Sequence, residues 1–101
     1  PLAAAGLKHV AVVCLREQQA KQAAEEIKTR SGAKVSVVTA AAAGAQTTQA
    51  CAADVVLFVW LASTHAVFRA FDGFDRQRFC YVQGTGSSSI VRTLERWATA
   101  R

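Results

Sequence analysis

At 101 residues, 51% hydrophobic and 19% charged, the chain has the size and composition of one compact α/β-sized domain that needs neither disulfides nor a structural metal to hold a core. Its net charge of +5 admits an anionic partner, but the basic residues divide six and six between residues 1–50 and 51–101, against three and four acids, so no basic block marks a nucleic-acid arm. No apolar run approaches the roughly 20 residues of a membrane helix, and Pro1 to Gly6 lacks the basic and apolar regions of a secretory leader.

The first element is the run Val10-Ala11-Val12-Val13-Cys14-Leu15, too short for a helix that is apolar all round and rich in β-branched residues; it reads as a buried strand. From Glu17 the period becomes helical. Ala20, Ala23, Ala24 and Ile27 share a face, Glu17/Lys21 and Glu26/Arg30 pair at i,i+4 on the other, and Gly32 closes the helix. A second strand spans Val35 to Val38. The Ala-rich stretch Ala40 to Ala45 reads as a loop, followed by a short helix from about Thr48 to Ala53 that Thr47 would cap.

Val55-Val56-Leu57-Phe58-Val59-Trp60 is the strongest strand, apolar on both faces and so expected to be central. Ser63 is expected to cap the next helix, with Ala66, Val67, Ala70 and Phe71 facing inward and Gly73 ending it. The fourth strand, Phe79 to Val82, runs into the loop Gln83-Gly84-Thr85-Gly86-Ser87-Ser88-Ser89. A last helix carries Ile90, Val91, Leu94 and Trp97 on one stripe, with Ser87 or Ser88 as its cap.

Strands apolar on both faces, alternating with amphipathic helices, call for an α/β three-layer sandwich: a four-stranded parallel sheet covered on each side, a single domain over 1–101. Right-handed crossovers make 2-1-3-4 the simplest strand order, a small relative of the doubly wound folds. A chain that begins at Pro1 and contains no Met is expected to be a domain excised from a longer protein.

In such a sheet ligands sit outside the carboxyl ends of the strands where the order reverses, here between the loops Arg16 to Gln19 and Leu61 to His65. Three segments bring polar groups to that edge: Arg16; Ser63, Thr64 and His65; and Gln83, Gly84, Thr85, Gly86, Ser87, Ser88 and Ser89. Gly84 and Gly86 permit close backbone approach, and a helix start after such a loop offers amides and a positive dipole end to an anion. The same loop also reads as a plain turn with a serine cap. His65, Arg69 and Asp72 fall at i, i+4 and i+7, either as part of this binding edge or as a solvated face.

Catalytic and metal chemistry find little support. The loop is not a phosphate-binding P-loop, because it lacks Lys, and no nucleophile elbow or carboxylate pair reaches the edge. His9 and His65 have no ligand spacing to the three cysteines, Cys14, Cys51 and Cys80, so no metal or other cofactor is expected. An odd number of cysteines without a C-x-x-C pair fits a reducing cytoplasm. Cys14 lies one or two residues too early for a phosphocysteine loop, and that role is kept as a minor alternative.

With Ala53-Asp54-Val55-Val56-Leu57-Phe58, Ser63-Thr64-His65 and Gln83-Gly84-Thr85-Gly86-Ser87-Ser88-Ser89-Ile90 in view, the chain resembles a bacterial domain-of-unknown-function family of small Rossmann-like units. These have an apolar third strand, a Ser/His signature opening the next helix and a Ser/Thr-Gly-Ser-Ser loop before the last. The Gly-rich first loop common in such domains is replaced here by Arg16-Glu17-Gln18-Gln19. The resemblance implies a cytoplasmic accessory or regulatory domain of a larger protein. The final loop is also loosely similar to that of ring-nucleotide-sensing domains of bacterial antiviral systems. The expected function is therefore a non-catalytic sensor that binds an anionic, nucleotide-like ligand or a partner's phosphate. The alternative is a homodimerising assembly module; nucleic acid is a further possible partner, and a membrane is not.

Overall fold

The computed structural model describes residues 6–100, so Arg101 and all of the Pro1 to Gly6 reading except Gly6 lie outside the described residues. Four strands, β1 (His9–Val13), β2 (Lys34–Val38), β3 (Val55–Phe58) and β4 (Phe79–Tyr81), form one sheet in the order β2-β1-β3-β4, and every pairing is parallel. Four helices connect and follow them: α1 (Glu17–Ser31), α2 (Ala45–Ala50), α3 (His65–Arg69) and α4 (Ser87–Ala100). The expected α/β architecture, strand order and central place of the third strand are all present.

Side chains alternate across a strand, so β1 and β3 each feed two cores. Val10, Val12, Cys14, Val55, Leu57 and Val59 meet Ala20, Ala23 and Ile27 of α1 and Ile90, Val91 and Leu94 of α4 on one face. Ala11, Val13, Val56 and Phe58 meet Ala50 of α2, Val67 of α3 and Phe71 on the other. The two faces are unequally covered. One is roofed by helices of 15 and 14 residues, the other by helices of 6 and 5. Trp97 packs at the margin of the first core, and its indole N–H donates to the Gln77 carbonyl at 2.7 Å.

The structure corrects several element boundaries. β1 stops at Val13, and Leu15, read as strand, is 38% exposed. The second helix begins after Gly44, not Thr47: the buried Thr47 hydroxyl accepts from the Gly44 amide at 2.9 Å and donates to the Gly44 carbonyl at 2.8 Å, acting from inside the first turn. Gln46 steadies the Ala-rich loop ahead of it, its side-chain oxygen accepting from the Thr39 and Ala40 amides. β3 gives way at Val59 to a 3₁₀ turn over Trp60–Ala62.

Strand alignment is fixed at the lower end of the sheet by Asp54. Its Oδ2 accepts from the amides of Lys8 and His9 at 2.9 and 3.0 Å, while its own amide donates to the His9 carbonyl at 2.8 Å. These donations to the charged form, Lys8 first, hold the Asp54 carboxyl below its ordinary range. A carboxylate lowered by folding contributes stability above its unfolded value, and that contribution disappears as pH falls through the native one. Asp54→Asn should therefore be less stable than the native chain at pH 7, with the gap narrowing as pH is lowered below the usual carboxylate range; urea unfolding at pH 7 and pH 3 measures both.

Candidate functional site

At the carboxyl edge of the sheet the chain leaves β3 with the amide of Val59 donating to the Val13 carbonyl at 2.9 Å. Val59 stays wholly buried, and the Ala62 amide turns back onto its carbonyl at 3.0 Å. That tight turn carries Trp60 and Leu61 outward, leaving them 54% and 63% exposed. Thr64, not Ser63, then caps the next helix: it is extended at φ −111°, and its hydroxyl oxygen accepts from the Val67 amide at 3.2 Å. The same hydroxyl donates to the Ala41 carbonyl at 2.7 Å, so it ties the loop after β2 to α3.

α3 is much shorter than its apolar spacing suggests. Beyond Arg69 the amides of Ala70, Phe71 and Asp72 bond three residues back, at 3.1 Å each, and Gly73 reverses the chain at φ +87°. Of the four residues expected to face inward, Val67 and Phe71 are buried, Ala70 is half-buried and Ala66 is exposed. Phe68 turns toward the sheet instead. The outer part of β3 and β4 is covered by rings: Phe58 lies 5.4 Å from Phe68, 5.5 Å from Phe79 and 6.3 Å from Tyr81.

These rings wall a cleft of about 550 Å³, lined by Phe58, Trp60, Phe68 and Tyr81 with Ser63, Thr64 and His65 at its polar side. Its size is within the range of small-ligand pockets. The structure thus brings Ser63, Thr64 and His65 together in one lining, while Arg16, Arg69 and Gln83 to Ser89 are not part of it. Thr64 is already committed to two hydrogen bonds. Ser63 donates to the Val13 carbonyl at 3.4 Å, and the exposed His65 opens α3.

The reversal between β1 and β3 is bridged by the chain itself. The Leu15 amide donates to the Ala62 carbonyl at 2.6 Å, directly across it. Arg16 is exposed and is the last residue before α1, which begins at Glu17 where the helical period does; of the Arg16 to Gln19 segment named for this edge, only Arg16 lies outside the helix. The cleft therefore lies one strand further along, over β3 and β4. Aromatic walls are what the sequence reasoning overlooked. The available signal was their density: seven of the eight aromatic residues fall between Phe58 and Tyr81.

After β4, the Val82 amide pairs with the Phe58 carbonyl at 2.8 Å and the chain enters the Gly/Ser loop. Ser87 is already the first residue of α4, so neither Ser87 nor Ser88 stands ahead of the helix as its cap. The first intrahelical bond runs from the Ile90 amide to the Gly86 carbonyl at 3.3 Å, which leaves the amides of Ser87, Ser88 and Ser89 without an acceptor inside the helix. Gly84 sits at φ +123°, with Ser89 Oγ 2.9 Å from where a Cβ would stand; a Cβ on Gly86 would meet nothing within 4 Å.

Burial acts against thiolate formation at Cys14 and Cys80. Cys14 is fully buried, its thiol donates to the Arg16 carbonyl at 3.7 Å, and burial pushes its pKa up. Burial likewise pushes Cys80 up to about 11. All three cysteines are free thiols, and no group of three or more His, Cys, Asp or Glu suited to a metal occurs among the described residues. No helix among them is long and apolar enough to cross a membrane.

A four-stranded parallel sheet in this order, with a cleft outside the strands' carboxyl ends, defines a small Rossmann-like domain. The family model described as DpdD-like matches residues 1–93, and the chain belongs to that family. No curated protein and no solved structure matches it. The resemblance to a bacterial domain family thus holds at family level.

The two loop glycines should behave differently on substitution. Gly84→Ala should lower stability measurably in urea, since the new Cβ meets Ser89 Oγ in a left-handed backbone, whereas Gly86→Ala should leave the unfolding midpoint within experimental error.

Proposed function

We propose that this domain is a non-catalytic sensor or accessory module that binds an anionic, nucleotide-like ligand at the carboxyl edge of its sheet, as part of a larger bacterial defence protein. The observation that carries the reading is the cleft of about 550 Å³ between Phe58, Trp60, Phe68 and Tyr81, with His65 and Ser63 on its polar side. A planar base stacks on aromatic rings, and Trp60 and Tyr81 are each about half exposed to solvent, at 54% and 51%. The strand that supplies Tyr81 continues into the Gly/Ser loop, where the amides of Ser87, Ser88 and Ser89, which have no acceptor inside the helix, and the dipole of the 14-residue α4 suit a phosphate. The buried, protonated Cys14 counts against phosphotransfer.

The exposure of Leu61 at 63%, next to Trp60 at 54%, favours a second reading, a homodimerising assembly module that buries these apolar side chains without a small ligand. A thermal-shift series of nucleoside mono- and triphosphates and cyclic dinucleotides separates the two. On the sensor reading, a bound nucleotide at about a hundred times its Kd adds roughly 2.7 kcal/mol of stability. His65→Ala then weakens binding by the ~1.5–3 kcal/mol of a hydrogen bond to a charged group. Gly86→Val, which projects into open space, abolishes binding and leaves the fold intact. Concentration-dependent dimerisation in sedimentation velocity, with every nucleotide inert, establishes the assembly module instead.

A further inference from the structure

A second cleft, of about 220 Å³, adjoins the first and shares Phe68 and Tyr81 with it as walls. Its remaining lining includes Phe71, Phe74, Phe79 and Arg76. The ring centroids of Phe68 and Tyr81 stand 6.3 Å apart, so the pair forms a ridge with a ring-lined hollow on each side. One nucleotide fills one hollow. Two hollows in series, sharing a wall, suit two successive bases of a strand.

Charge selects what such a strand is made of. Arg76 lines the second hollow, and Arg69 follows Phe68 on α3; both are exposed, and neither makes an ion pair among the described residues. Nearby Arg78 is held by Asp75 at 3.4 Å and lies over the Phe74 ring at 5.2 Å, so it stiffens the rim. Asp72 also lines the second hollow, where its carboxylate repels phosphate but accepts a hydrogen bond from the exocyclic amine of a base. Sequence-tolerant stacking surfaces with flanking guanidinium groups are the physical requirements of single-strand recognition.

We infer that the two clefts form one binding track for single-stranded nucleic acid, with the first base against Trp60 and Tyr81 and the second against Phe68 and Phe74 beside Arg76. The inference rests on the nucleotide reading of the first cleft and adds the second cleft and the polymeric ligand to it.

The probe is a fluorescein-labelled deoxythymidine decamer, with thymidine monophosphate and the dinucleotide pTpT as unlabelled competitors, read by anisotropy at several salt concentrations. The decamer should bind the native protein, and pTpT should compete at least tenfold better than the mononucleotide. Trp60→Ala should weaken decamer binding about tenfold or more, as loss of one stacked base requires. Arg76→Ala should weaken it and reduce the salt slope by about 0.7, the loss of one phosphate contact on a single strand. Both side chains are exposed, so circular dichroism melts should match the native protein. If the mononucleotide competes as well as pTpT and Arg76→Ala changes nothing, the second cleft is not a subsite and the inference falls while the first cleft's role stands. If neither mononucleotide nor decamer binds, both readings fall together.

Discussion

The constraint from which the rest follows is that β1 and β3 are apolar on both faces and must be covered on both. Val10, Val12, Val55 and Leu57 are fully buried on one side; Ala11, Val13, Val56 and Phe58 are all but buried on the other. Two long helices satisfy the first side. The second has helices of only six and five residues, which is too little helix surface for a four-stranded sheet. Aromatic side chains make up the difference, each covering far more surface than an aliphatic residue. Because rings are flat and their packing leaves spaces between them, the same substitution that completes the roof also leaves the cleft over β3 and β4.

The hydrogen bonds of the upper loops reinforce this arrangement. Leu15 to Ala62, Ser63 to Val13 and Thr64 to Ala41 consume polar groups that an open doubly wound domain would offer to a ligand between its first and third strands. All three tie the segment after β3 to its neighbours: to the end of β1, to the loop after β1 and to the loop after β2. Together they bridge one crevice and brace the wall of its neighbour, since Ser63 and Thr64 belong to both the bonded segment and the cleft lining.

What could be read from the amino-acid order follows the same division. Runs such as Val55 to Phe58 declare a doubly buried strand because no other element of that length tolerates two apolar faces, and from this the parallel sheet and its order follow. Thr47 was legible as a residue that bonds backbone at a helix start, yet its position within the turn was not, because the true cap, Gly44, has no side chain to announce it. Ser63 and Thr64 are chemically interchangeable caps, and only the extra acceptor at Ala41 selects the second. Gly84 and Gly86 look equivalent in the sequence, while the strained torsion and the crowding by Ser89 fall on Gly84 alone. The cleft stayed hidden because Ala66, Val67, Ala70 and Phe71 form an inward stripe only on a longer helix. With the chain bonding three residues back after Arg69, Ala66 is left exposed and Ala70 half-buried, while the Phe68 ring lies against Phe58.

The Asp54 clamp has a consequence for how freely such a domain can diversify. A slip of one residue between β1 and β3 would exchange the two cores, and the three hydrogen bonds between Asp54 and the Lys8–His9 backbone oppose it at the end of the sheet remote from the cleft. The alignment clamp and the aromatic cleft thus lie at opposite ends of the same strands. The cleft-lining Trp60, His65, Arg76 and Tyr81 take no part in the Asp54 contacts, so the walls of the clefts can change without loosening the polar clamp that sets the sheet.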